Sequence, residues 1–106
     1  MSTLVELTAE SWDDFVRAGT ALAGFWAPWS VPSQSLEPLL EAVAQDFTGR
    51  LRVGIANHDH SPALAERYRI QGLPTLLVFQ GGAEVRRRVG LMDRAGVHAL
   101  VREVIG

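Results

Sequence analysis

Apolar and polar residues alternate along "TLVEL" (residues 3–7), the period of a short, half-buried strand. A helix is predicted over "AESWDDFVRA" (9–18), with Thr8 as its cap, Asp13 and Asp14 in its N-terminal half and Gly19 as its stop. "ALAGFWA" (21–27) is nearly all apolar, as a strand covered on both faces must be. In "VPSQSLEPLLEAVAQDF" (31–47), Leu36, Leu39, Leu40, Val43 and Phe47 recur at helical spacing, and Thr48-Gly49 ends the run. Pro38 lies inside that pattern without the amide proton a helix needs there, so a helix kinked at Pro38 is predicted.

"LRVGIAN" (51–57) reads as a further strand, and "SPALAERYR" (61–69) as a helix with Ser61 as cap and Pro62 at its first position. "TLLVF" (75–79) and "AEVRRRVG" (83–90) form a hairpin about Gly81-Gly82. The closing helix, "DRAGVHALVREVI" (93–105), carries Val97, Leu100, Val101 and Val104 on one face. The order βαβαβαββα predicts an α/β fold: one central mixed sheet flanked by helices on both faces. Strands joined through helices are expected to run parallel, and the hairpin to add antiparallel strands.

No repeat or linker interrupts the chain, and 106 residues make a single domain, 1–106. A chain of this size buries roughly 65% of its unfolded surface, enough for a core without metal or crosslinks. Ten basic residues against twelve acidic ones leave a net charge of −2, which points to neither nucleic acid nor an anionic membrane as partner. "MSTLVELTAE" has no basic n-region, and the apolar run near residue 25 is broken by Gly24, Pro28 and Ser30. A cytoplasmic protein is expected. The absence of cysteine removes disulfides, thiolate metal sites and thiol chemistry.

The most specific stretch is "FWAPWSVPSQ" (25–34), in which Ser30 and Ser33 stand with two residues, Val31 and Pro32, between them. A serine nucleophile needs a base and an orienting group, and His58, His60 and His98 are all expected to lie away from this loop. The strand-to-helix turn G-x-S-x-G is also missing. Ser30 is instead expected to cap a helix, its hydroxyl accepting an amide proton near Val31–Ser33. His58 and His60 in "NHDHS" could share a face and chelate a metal, but no further ligand is near in sequence, so they are read as solvated loop residues. Arg86, Arg87 and Arg88 alternate sides of a strand and form no concentrated patch.

In this order of elements the chain resembles the thioredoxin family, from about Leu4 to Ile105. "FWAPWSVPSQ" is similar to the family's active-site loop, in which a Trp precedes a Cys-x-x-Cys pair. Pro38 matches a helix-kinking proline, "QGLPTLLVFQGG" the segment holding a cis-proline (here Pro74), and "VGLM" the loop that completes the substrate groove at Gly90. The resemblance implies thiol–disulfide exchange as the family's activity, without a cofactor or a metal. Ser30 and Ser33 occupy the positions of its nucleophilic and resolving cysteines. It also implies a groove for polypeptide clients formed by Trp29, Val31, Pro32, Leu73, Pro74, Gly90 and Leu91, with Met92 beside them, and a monomer as the working state. Trp26, at the end of the central strand, is expected to lie mostly in the core.

The departures are chemical. A serine hydroxyl is far less acidic than a thiol, and a helix dipole worth about 0.3–1 kcal/mol does not close that gap. Gly24 and Ile55 stand where the resemblance implies a buried aspartate and a nearby lysine that serve proton transfer. Losing one partner of such a pair strands the other, whereas losing both can be neutral. Two readings follow: a Cys-to-Ser, redox-inactive form of a protein-disulfide reductase whose cysteine-containing parent is served by a thioredoxin reductase, or a redox-silent polypeptide-binding module or scaffold. Ser30→Cys with Ser33→Cys is expected to recover disulfide reduction, and Gly24→Asp with Ile55→Lys to raise its rate.

Overall fold

The computed structural model describes residues 4–105. Five strands, β1 (Leu4–Glu6), β2 (Thr20–Trp26), β3 (Arg52–Asn57), β4 (Thr75–Gln80) and β5 (Ala83–Val89), form one sheet in the order β1-β3-β2-β4-β5. Helices α1 (Ala9–Arg17), α2 (Leu36–Asp46), α3 (Pro62–Arg67) and α4 (Arg94–Ile105) flank it. Thr3, placed in the first strand by its pattern, lies outside the described residues. Thr8 caps α1 reciprocally: its hydroxyl accepts from the Ser11 amide at 3.2 Å, and its own amide donates to the Ser11 hydroxyl at 3.0 Å.

Strand alternation sorts side chains into two cores. Ala21, Ala23 and Phe25 of β2 and Leu77 and Phe79 of β4 join Trp12, Phe15 and Val16 of α1 and Leu64 of α3. Leu22, Leu76 and Val78 face the other way, with Leu36, Leu40 and Val43 of α2 and Val97, Leu100 and Val101 of α4. Each face burial removes apolar surface on both sides of β2, which is why "ALAGFWA" carries no polar residue.

Two features differ from the sequence pattern. Helix α3 separates β3 from β4, yet β4 runs antiparallel to its neighbour β2, while β1, β2 and β3 are mutually parallel. Six residues of α3 span about 9 Å, against about 20 Å for six residues of strand. The helix does not return the chain to the far end of the sheet, so β4 re-enters from the end that β3 left. The stretch after the serine loop is likewise two elements, a 3₁₀ turn over Val31–Ser33 and then α2, in place of one helix kinked at Pro38. Pro38 cannot donate to the Gln34 carbonyl, and it falls in the first turn of α2, where an amide has no intrahelical partner anyway.

Candidate functional site

The parallel pairing of β2 with β3 brings Trp26 beside Asn57, and the His58 amide donates to the Trp26 carbonyl at 2.8 Å. The loops leaving these strands therefore start side by side. From the first, Trp29 reaches across to Asp59: its indole Nε1 donates to both carboxylate oxygens, at 3.0 and 2.9 Å. His58 meets the Trp29 ring edge-on, 6.1 Å between centroids and 89° between planes. The Trp29 hydrogen bond lowers the Asp59 carboxyl below its ordinary value; desolvation opposes this, and a weaker contact with His58 adds to it. His58 is thus close to the loop, contrary to the sequence expectation, although it bonds to neither serine. The contact joins residues about thirty positions apart, and no local pattern announces it.

The two serines have different environments. Ser33 is 0% exposed, and its Oγ accepts from the Ala27 amide at 3.1 Å while lying 3.0 Å from the Ala27 carbonyl and 2.9 Å from the Ser30 carbonyl. Its single proton goes to one of those carbonyls. Ser30 stands at the start of the 3₁₀ turn, but its hydroxyl makes no capping bond. The Ser33 amide bonds instead to the Ser30 carbonyl at 3.0 Å, which leaves the expected side-chain cap without a donor. The serine that secures this loop is Ser33.

Opposite the loop, the Leu73–Pro74 bond is cis, as expected. The Pro74 carbonyl accepts from the Gly90 amide at 2.8 Å, and Gly90 has φ 102°, a conformation that favours glycine. Pro32, Pro74, Gly90, Leu91 and Met92 surround one cavity of about 10 Å³, walled behind by Leu36 and Leu76. Trp29 (64% exposed), Val31 (75%) and Leu91 (65%) present apolar surface to solvent. Leu73 is half-buried and packs toward the α1 side of the sheet, while Trp26 and Met92 are half-buried against the α2 side.

Behind the site, Gly24 and Ile55 are register partners on β2 and β3. A Cβ at Gly24 would fall 2.7 Å from Leu40 Cδ1, 2.9 Å from Leu36 Cδ2 and 3.2 Å from Leu76 Cδ2. The space of a side chain there is already filled with leucine, and Ile55 is buried. Among the described residues no cluster of three or more His, Cys, Asp or Glu could hold a metal. Arg86 pairs with Glu103 and Arg87 with Glu84, so the arginine run is a solvated strand face.

A family model described as Thioredoxin matches residues 3–103. The chain belongs to the thioredoxin family. It is 36% identical over 97 residues to a thioredoxin of Chlamydia caviae, covering 92% of this chain and 94% of that protein. It is 29% identical over 100 residues to a thioredoxin of Staphylococcus saprophyticus, covering 94% and 96%. It is also 32% identical over 99 residues to the chloroplastic M-type thioredoxin of Zea mays, covering 92% of this chain and 59% of that longer protein. As a thioredoxin-family chain without cysteine, it cannot form a mixed disulfide through its own residues. Among the described residues no helix is long and apolar enough to cross a membrane.

Proposed function

We propose that this chain is a redox-silent, monomeric, cytoplasmic member of the thioredoxin family that holds extended polypeptide in the groove between the serine loop and the cis-Pro74 turn. The observation that carries the reading is the Ser33 hydroxyl. It ties the loop to itself through backbone groups on both sides and keeps Trp29 and Val31 displayed with no thiol chemistry to perform. Exposed apolar residues grouped about a turn mark a binding surface. The Leu73 amide and carbonyl have no hydrogen-bond partner among the described residues, and they are free to pair with a client's backbone. Trp29, Val31, Pro32 and Leu91 then contact its side chains, and Pro74 and Gly90 keep the turn narrow.

The test is fluorescence anisotropy with a labelled, unstructured, cysteine-free peptide of alternating apolar residues. Binding should weaken at least tenfold on Trp29→Ala or Leu91→Asp, about 1.4 kcal/mol for each factor of ten. Dithiothreitol should change nothing. Equal binding by the wild type and both variants would refute the groove. A second reading, the Cys-to-Ser form of a disulfide reductase, is favoured by the retained loop and cis-proline geometry, and restoring the cysteines tests it.

A further inference from the structure

Away from the groove, α2 and α4 meet around one carboxylate. Asp46, at the end of α2, accepts from Arg94 through both oxygens, with Nε to Oδ2 at 2.7 Å, and from His98 Nε2 at 2.7 Å. The next residue, Phe47, is buried, and three cationic or ionisable groups cover its ring. Arg50 Cζ lies 5.7 Å and Arg102 Cζ 5.6 Å from the ring centroid, and the His98 ring lies 4.8 Å away. Cation–π contact holds the guanidiniums on the ring. Among the described residues, neither Arg50 nor Arg102 has a carboxylate partner. Arg94 and His98 therefore share the Asp46 carboxylate, while Arg50 and Arg102 lie on the neighbouring Phe47 ring with no acid of their own among the described residues, in a chain whose net charge is −2.

The layout has a direction. Arg94, His98 and Arg102 fall four residues apart on α4, which puts them in one stripe at intervals of about 6 Å. Ala95 and Ala99 are exposed beside them, and together with Asp46 these residues border an open depression. We infer that this face of α4, with Arg50, docks an acidic helical segment of a partner polypeptide. Acids four residues apart on such a helix repeat the spacing of the basic stripe, and the two alanines let its backbone come close. A lone phosphate matches less well, because the basic groups from Arg94 to Arg102 are strung along about 12 Å of helix and do not converge on one point.

The experiment is anisotropy of a labelled helical peptide repeating Glu-Ala-Ala-Ala with the whole chain, against the same peptide with Lys for Glu. The Glu peptide should bind, more weakly as salt rises, and the Lys peptide should not. Arg50→Gln with Arg102→Gln should weaken it at least tenfold while leaving binding of the unstructured groove peptide within twofold. Asp46→Asn removes the one acid that lines the patch among the described residues and should tighten binding severalfold, whatever it does to stability. A purely structural role for these arginines predicts no such gain. Equal binding of the two peptides, an unchanged affinity in Asp46→Asn, or tighter binding of a duplex DNA oligonucleotide than of the Glu peptide would each overturn the inference. So would loss of groove binding in the double arginine variant.

Discussion

Replacing Ser33 with alanine isolates the hydrogen bonds that secure the loop. The carbonyls involved keep other partners: Ala27 O accepts from the Ser30 amide at 3.1 Å, and Ser30 O from the Ser33 amide at 3.0 Å. The Ala27 amide does not, because its bond runs to the Ser33 hydroxyl and Ala27 is 0% exposed. The variant therefore orphans one buried donor, at about 1–3 kcal/mol, and loses one donated bond, at about 1 kcal/mol. A loss near 2–3 kcal/mol is expected, which lowers the melting temperature by roughly 10 °C or more in a domain of this size. Ser30→Ala is the internal control: the Ser30 hydroxyl makes no capping bond, so it should cost less than about 0.5 kcal/mol. Guanidinium unfolding followed by circular dichroism, with thermal melts alongside, measures both. If Ser33→Ala stays within about 0.5 kcal/mol of the parent, or Ser30→Ala costs as much, the loop is held by something other than this hydroxyl.

Further outcomes follow from the same geometry. Ser30→Cys with Ser33→Cys should recover single-turnover reduction of a model disulfide, at a rate about 10²-fold or more below that of a site with positioned acid–base help; a folded variant that forms its own disulfide and reduces nothing would leave only the binding role. Gly24→Asp should destabilise by more than about 3 kcal/mol in urea unfolding, since its Cβ meets Leu40 and Leu36 and its carboxylate is buried without a partner. The crowding by Leu40 and Leu36 remains when Ile55→Lys supplies a partner, so the pair is expected to destabilise a cysteine-restored chain and not to speed it; a well-folded, faster variant would refute this. Arg94 first, and then His98, lowers the Asp46 pKa to about 2 from 3.8. A folded pKa below the unfolded one gives stability that is present above about pH 4 and lost as pH falls toward 2. Asp46→Asn should flatten the dependence of unfolding on pH across that window, and an unchanged acid limb would place the sensitivity elsewhere.

What could be read from the chain was whatever short-range chemistry decides. Thr8 announces its helix because the cap and its partner are three residues apart, and "ALAGFWA" announces burial because each neighbour alternates faces. Pro74 and Gly90 were legible through resemblance, and the structure places them hydrogen-bonded together. The direction of β4 was not legible, because it depends on how far α3 carries the chain and no residue within β4 encodes that. The role of Ser33 was also hidden: Ser30 was the serine that fits a capping pattern, and only the folded loop shows that the Ser33 hydroxyl is the one bonded within it. Trp29 with Asp59, and Phe47 with Arg102, join groups whose meeting depends on packing of whole elements. Of the two histidines of "NHDHS" expected to be solvated, His60 is exposed and His58 is half-buried beside Trp29, while Asp59 between them fixes the tryptophan.

The leucines leaning over Gly24 also bear on which sequences this chain can reach by single substitutions. Positions 30 and 33 lie in a loop outside the sheet, so two codon changes place cysteines there at the cost of the Ser33 hydroxyl's bonds alone. An acid at position 24 is different, because Leu36 and Leu40 already occupy its space. Introduced first, it is a buried charge pressed against methyl groups. If the leucines are cut back first, the chain carries a core cavity costing about 2–5 kcal/mol for each side chain truncated to alanine. Either order passes through a protein with little stability to spare. The loop stays one short path away from thiol chemistry, while the core behind it is separated from an acid-bearing arrangement by a valley that no single substitution crosses.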